Sequence, residues 1–274
     1  MSTLSIRSQL TYWVQQPTSF ALSITAARTP HQTVLAENLY VYPESTIALV
    51  PFGSGTHQLL RFDAAPGDIS IDYSATVELH GHDVDPASLD ERDFGQIPAE
   101  VMPYLNPSRY CESDKLTRFA ARLFGEATRG HGRVRAVTDW VHDNLDYEIG
   151  VTDGSSGTTD VLLQRAGVCR DFAHVSISLC RALGIPARYV SGYGLGVEPQ
   201  DFHGFFEAYL GDDWYLFDPT GMAAINGLAR IGFGRDAADA PFATFVGTAD
   251  LIAKTVTVEL NDLPGDEPDA TSTA

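Results

Sequence analysis

The sequence predicts an α+β protein: an N-terminal antiparallel β-domain over residues 1–100, a mixed core over 101–261 and an acidic disordered tail over 262–274. Three observations carry this. Apolar residues alternate with polar ones through the first eighty positions, the period of a half-buried strand. From Leu116 to Leu183 they recur instead at three- and four-residue spacing, the period of helices packed on a core. Beyond Pro186 the alternation returns, so helices sit between two sets of strands.

In the β-domain, Leu4, Ile6, Leu10, Tyr12 and Val14 share one parity. Phe20, Leu22, Ile24 and Ala26 repeat it after a break at Pro17-Thr18. The clearest run is Ile69, Ile71, Tyr73, Ala75, Val77 and Leu79, with Asp72, Ser74, Thr76 and Glu78 between them. Short strands separated by Gly and Pro suit a sandwich or barrel-like domain. Residues 81–112, with Pro86, Pro98, Pro103 and Pro107, read as loop.

Ser113 is the expected cap of a helix carrying Leu116, Phe119, Ala120 and Leu123. Val134, Val137, Trp140, Val141 and Leu145 mark a second helix, and Asp160 is the expected cap of a short third one ending at Arg165. A fourth runs from near Val168 to Leu183, with Gly184 as C-terminal cap and Pro186 beyond. Its apolar stripe is Phe172, Val175, Leu179 and Leu183, and three residues back from Phe172 lies Cys169, in the first turn on the same face. Strands follow at Ala187–Gly192, Gly204–Leu210 and Trp214–Phe217, the last two joined through Gly211-Asp212-Asp213, and a final strand at Lys254–Leu260.

Composition bounds the function. The 274 residues hold 18 Lys plus Arg against 36 Asp plus Glu, a net charge of −18. Such a body repels phosphate backbones and anionic lipid, so nucleic-acid and membrane partners are not expected. No apolar run approaches the ~20 residues of a membrane span. The N-terminal MSTLSIRSQLTYWVQQ lacks a basic start followed by an apolar stretch. Cys111, Cys169 and Cys180 make neither a disulfide framework nor a CxxC zinc pair. Three reduced thiols in a cytoplasmic protein are expected.

Cys169 is the exception among them. A helix N-terminus favours a thiolate, the nucleophilic form, and its unpaired N–H groups can bind the oxyanion of acyl transfer. A thiolate needs a His partner and a group to orient that His. His203 starts a strand 34 residues on, and Asp218 ends the next strand 15 residues later. If the hairpin turns through two residues, Gly211-Asp212, position 218 faces 205 and lies diagonal to 203 on the same face, ~7–8 Å away at the backbone. A three-residue turn would put the pair on opposite faces.

The blocks Gly167-Val-Cys169-Arg-Asp171-Phe-Ala, Ala182-Leu-Gly-Ile-Pro-Ala-Arg188-Tyr-Val-Ser-Gly192-Tyr, the His203 strand and Asp218-Pro-Thr220 together resemble the transglutaminase-like superfamily. The likeness is to its bacterial branch, which carries a β-domain ahead of the core, and it extends to Pro107–Asp114 and Gly234–Asp239. The resemblance implies a papain-like core with Cys169 as nucleophile, His203 as general base and acid, and Asp218 as the orienting carboxylate, acting through a thioester. It implies no cofactor. The calcium dependence of the animal enzymes is not carried over, since no acidic cluster has a calcium-loop pattern. Gly204 and Phe205 depart from the Ala and Trp usual after the His, which bears on pocket shape. Trp140 and Tyr147, upstream of the nucleophile, are the candidates for a second oxyanion donor.

The remaining polar residues have plainer expectations. His174, about 140° round the helix from Cys169, is a packed histidine. His80 and His82 form a solvated strand end rather than a metal pair, and Cys111 and Cys180 are ordinary thiols. Arg170 and Asp171 are a structural pair, with Asp171 bonding first-turn N–H groups or Arg188. Arg235–Asp239 borders the cleft. The expected function is cysteine-based acyl transfer on a peptide or amide substrate, hydrolysis being favoured over amine transfer because cross-linking its own cytosol would harm the cell. The alternatives are a protein-glutamine transglutaminase and a catalytically silent binding domain. The sequence leaves the oligomeric state open.

Overall fold

The structure is a computed structural model describing residues 2–53, 56–261 and 270–272. The N-terminal sheet is built on β1 (Ser2–Leu22), with β2 (Gln32–Tyr42), β3 (Ala48–Phe52), β4 (His57–Ala64) and β5 (Gly67–Leu79). The predicted alternation is its buried face: Leu4, Ile6, Leu10, Tyr12 and Val14 of β1 and Ile69 through Leu79 of β5 are all buried.

Pro17-Thr18 does not end β1. The strand continues, but its neighbour changes: Ser2–Val14 pair with β5, and Thr18–Leu22 pair with β4. The third partner is β13 (Ala243–Leu260), antiparallel along the other edge, with register shifts at Val14/Gln16 and Gln16/Ser19. Pro17 has no N–H to give a ladder, so a bulge there costs no hydrogen bond and bends the sheet. Opposite it, Gly247 has φ +135°, and a Cβ would stand 2.2 Å from Thr18 Oγ1. Across the bend Tyr12 meets Phe20 edge-on at 5.3 Å, and Phe20 stacks on Phe62 at 4.9 Å.

The expected boundaries therefore need correcting at the C-terminal end. Residues 243–260, assigned to the core by position, complete the N-terminal sheet. The expected disordered tail is a short strand, β14, at Thr271–Ser272, which pairs with the core; Ala270 beside it is buried. The rest of the tail, 262–269 and 273–274, lies outside the described residues.

In the core, β6 (His82–Asp83) is followed by 3-10 turns through 86–115, then α1 (Thr117–Phe124), α2 (His131–Asn144), β7 (Asp146–Tyr147), α3 (Thr158–Gln164), β8 (Ala166–Gly167) and α4 (Cys169–Ala182). Strands β9 (Ala187–Gly194), β10 (Phe202–Leu210), β11 (Asp213–Phe217) and β12 (Leu228–Gly234) complete it. The antiparallel order is β12-β9-β10-β11-β14-β6, and α4 packs on β9 and β10.

Two expected caps shift. Ser113 opens a 3-10 turn, and α1 begins only at Thr117. Gly157 caps α3, and Asp160 sits three residues in, accepting from the Gly157 N–H at 2.9 Å. Eleven of the fourteen residues of α4 are buried. The stripe Phe172, Val175 and Leu179 is thus one side of a helix enclosed by the sheet and α1–α3.

The two sheets share a core. Tyr193, Ala229 and Ile231 pack among the apolar residues of the N-terminal sheet. Tyr193 Oη donates to the Ile24 carbonyl at 2.6 Å. Glu207, fully buried, pairs with Arg188 at 2.6 Å and with Arg230, whose backbone N–H donates to Gln32 Oε1 at 2.7 Å.

Candidate active site

Cys169 is the first residue of α4 and is half-buried. Its placement depends on the parallel pairing of β7 with β8, which sets Tyr147 beside Gly167. Gly167 is required by packing, since a Cβ there would stand 2.8 Å from the Asp171 Cβ. Asp171, buried in the first turn, accepts from the Val168 N–H at 3.0 Å and from Arg170 Nε at 3.0 Å and Nη2 at 2.8 Å, with Thr152 Oγ1 as a further donor. This is the expected structural pair; Arg188 is engaged instead by Glu207.

The β10–β11 hairpin decides the register question. Leu210 faces Asp213 and Phe206 faces Phe217, so the loop is the two residues Gly211-Asp212, with Gly211 at φ +58°. Position 218 follows opposite 205, and Asp218 Oδ2 lies 3.1 Å from His203 Nε2. Oδ1 of Asp218 accepts from the Thr220 N–H at 2.9 Å and Oγ1 at 2.7 Å, and Oδ2 accepts from the Ala223 N–H at 2.9 Å. Burial alone would raise the Asp218 pKa; the bond and charge of His203 and the bonds from Thr220 and Ala223 outweigh it and hold the carboxyl below its usual range.

Burial likewise opposes the charged form of His203. Its bonds to Asp218 and Cys169, and their electrostatic pull, prevail and push the imidazolium up to about 10. Since Nε2 is engaged by Asp218, the buried Nδ1, which has no other hydrogen-bond partner among the described residues, is the nitrogen available to the thiol. Phe205 backs the imidazole edge-on, 4.7 Å between ring centres.

Residues 117–219 match the transglutaminase-like superfamily and residues 3–99 the bacterial transglutaminase N-terminal domain. A solved structure, a candidate cysteine protease from Cytophaga hutchinsonii, is 38% identical, superposes with a TM-score of 0.96 and covers 100% of this chain and 98% of its own. The chain belongs to the transglutaminase-like superfamily. An uncharacterized protein of Mycobacterium leprae is 33% identical over 145 residues, 49% of this chain and 51% of that one. One from Mycobacterium tuberculosis H37Rv is 30% identical over 163 residues, 54% and 51% of the two chains. The chain spans about half the length of the curated relatives it matches. Family and neighbour together support a cysteine-based enzyme.

Within this superfamily site, the two oxyanion candidates separate. The Tyr147 phenol lies beside Cys169: burial, then the charge of Cys169 and a bond with its side chain push the phenol's pKa up, and a bond from the Cys169 backbone N–H works against them. Trp140 faces elsewhere, its ring edge-on to Phe119 at 5.7 Å and Phe124 at 6.2 Å between α1 and α2. Helical spacing already put Trp140 on the apolar stripe of α2, and packing uses it there.

The departure at Gly204 has a steric cause. A Cβ at 204 would meet Tyr189 Oη at 2.9 Å and Arg170 Cα at 3.2 Å. Sequence reasoning passed over Thr220, whose Oγ1 lies 3.2 Å from His203 Nε2 as well as on Asp218; the Asp-x-Thr spacing was the available signal.

The other thiols are closed off. Cys111 and Cys180 are fully buried, and burial raises both, Cys111 to about 12. His174 is enclosed, stacked on Tyr110 at 5.1 Å, with Nε2 accepting from the Ala237 N–H, and burial lowers it to about 3. Ala237 and Ala240 line the cleft, so the 235–239 block does border it, held by the Arg235–Asp239 pair at 2.7 Å. His80 bonds Thr33 Oγ1 and Glu78. No helix among the described residues is long and apolar enough to cross a membrane.

Proposed function

We propose that the chain is a hydrolase of amide or peptide bonds working through a thioester on Cys169. The observation that supports the acyl-transfer chemistry is the His203–Asp218 pair beside Cys169, with Nε2 on the carboxylate and Nδ1 left for sulfur; water rather than an amine as acceptor rests on the harm of cross-linking the cell's own cytosol. Asp218 keeps the ring oriented and charged, and the imidazolium in turn stabilises a thiolate.

The thiolate attacks the amide carbon, and the carbonyl π electrons move to oxygen. The Cys169 N–H and the Tyr147 hydroxyl donate to that oxyanion. His203 Nδ1–H protonates the amide nitrogen as the C–N bond breaks, releasing amine and leaving the thioester. His203 then takes a proton from water, whose oxygen attacks the thioester carbon, and sulfur leaves as thiolate with release of the acid. A peptide or amide substrate is all this requires. A cytoplasmic site of action is proposed from the three free thiols, and cell fractionation tests it.

Incubating glutaminyl and isopeptide substrates with and without a primary amine, and weighing the products, tests the assignment. Free acid that added amine does not divert is the expected product. An amine adduct would make the protein a transglutaminase. Turnover surviving in Cys169→Ala would refute the nucleophile.

A further inference from the structure

The cleft over Cys169 and His203, ≈ 450 Å³, is not walled by the core alone. Ser23, Ala243 and Lys254 reach it from the N-terminal sheet, and Phe202, Pro241 and Phe242 give it an apolar surface. Two cations line it on different walls. Arg170 adjoins the nucleophile; its Nε and Nη2 are taken by Asp171 and the Asp153 carbonyl, while Nη1 makes no hydrogen bond among the described residues. Lys254, on β13, pairs with Asp201, the one carboxylate lining the cleft among the described residues, and both are about one-third exposed. Asp171 is buried behind Arg170. In a chain of net charge −18 with only two lysines, this opening is lined by more cationic than anionic side chains.

We propose that the substrate carries a carboxylate close to the amide bond that is broken, held by Lys254 Nζ and Arg170 Nη1. This rests on Cys169 being the nucleophile. An ammonium has three N–H donors, and Asp201 engages one side of Lys254, leaving the others for a ligand. The apolar walls and limited volume suit an acidic side chain or a free chain terminus, not a polyanion.

Alkylation with reagents of different charge tests the proposal without knowledge of the substrate. The rates for iodoacetate (anionic) and iodoacetamide (neutral) at Cys169 are read by mass spectrometry of its peptide, and their ratio is compared among variants. The His203 imidazolium itself favours iodoacetate, so the decisive comparison is wild type against Lys254→Met. The ratio should fall about fivefold in Lys254→Met, the effect of one charge near the reacting anion, and fall further at low ionic strength than at high. Lys254→Arg should retain the ratio, and Asp201→Asn, which frees the ammonium, should raise it. A ratio unchanged by Lys254→Met and by Asp201→Asn overturns the proposal. Slow reaction of Cys169 with both reagents would instead refute the nucleophile, while the ratio still reports the charge at the cleft.

Discussion

Replacing Asp218 by Asn removes one charge and keeps the shape. The two carboxylate oxygens take four contacts: Thr220 N–H and Oγ1 on Oδ1, Ala223 N–H and His203 Nε2 on Oδ2. An Asn must turn its NH2 toward one of these pairs, and each contains a backbone N–H that cannot reverse. The unmatched donors cost ~1–3 kcal/mol of stability. A second effect falls on His203, whose imidazolium is held at about 10 against burial by Asp218 and Cys169. Loss of a buried opposite charge takes ~1–3 units, each worth ~1.4 kcal/mol, so the ring should lose its proton near pH ~8.

The sign follows from the raised value. Stabilisation from this pair is complete below the unfolded histidine value of ~6.5 and is lost as pH rises through about 10 in wild type, or through about 8 in the variant. Alkylation of Cys169 by iodoacetamide as a function of pH reads it: the upper inflection, where the imidazolium deprotonates, should move down by about two units. Thermal melting at pH 7 checks that the variant folds. An inflection at the same pH in a folded Asp218→Asn protein would refute the role given to Asp218.

If Tyr147 serves the oxyanion, Tyr147→Phe should lower turnover ~10²-fold with a much smaller change in iodoacetamide alkylation of Cys169; equal losses in both would mean that Tyr147 acts on the thiol, which its phenol also contacts. Glu207→Gln should destabilise the fold by ~3–5 kcal/mol, since it leaves Arg188 and Arg230 buried without their counter-charge. Burial works against the Glu207 carboxylate, but the two arginines hold it at about 2. Its stabilisation is therefore present above ~4.5 and lost as pH falls toward about 2, so the melting-temperature gap between wild type and Glu207→Gln should narrow between pH 5 and pH 2. A constant gap would show that the Glu207–Arg188–Arg230 cluster does not titrate with folding. Gly204→Ala should cost ~1–3 kcal/mol through its contacts with Tyr189 and the Arg170 backbone. A melting temperature equal to wild type would mean that the 2.9 Å contact relaxes without cost.

The site was legible in the sequence to the extent that its chemistry restricts residue type. Nucleophile, base and orienting acid must be Cys, His and Asp in workable order, and helix signals placed Cys169 at an N-terminus. The face relation of His203 and Asp218 was not legible, because it turns on a loop of two residues against three; Gly211 in the left-handed region settles it. Glu207 was hidden because it interrupts the buried run Phe205-Phe206-Glu207-Ala208 as any polar residue would, and its partners come from two other strands. The pairing of Leu4 with Leu260 left no signal either, since no local pattern couples residues so far apart. Trp140 shows the same limit: its spacing fixed its face on α2, but only packing shows that Phe119 and Phe124 occupy that side.

The pairing of the two chain ends bears on what the N-terminal domain is for. Among the described residues, β13 pairs with β1 alone, over positions 4–22, and the apolar side chains Val256 and Val258 join Leu4 and Ile6 in one core. The strand that closes the N-terminal sheet is also the strand that carries Ala243 and Lys254 into the cleft. Its position relative to Cys169 is set by Tyr193 on Ile24, by Arg230 on Gln32 and by the Lys254–Asp201 pair. Each contact crosses from the N-terminal sheet to β9, β12 or the segment just before β10, the elements around His203. The β-domain therefore walls one side of the cleft, because β13, which carries Ala243 and Lys254 into it, is held by β1.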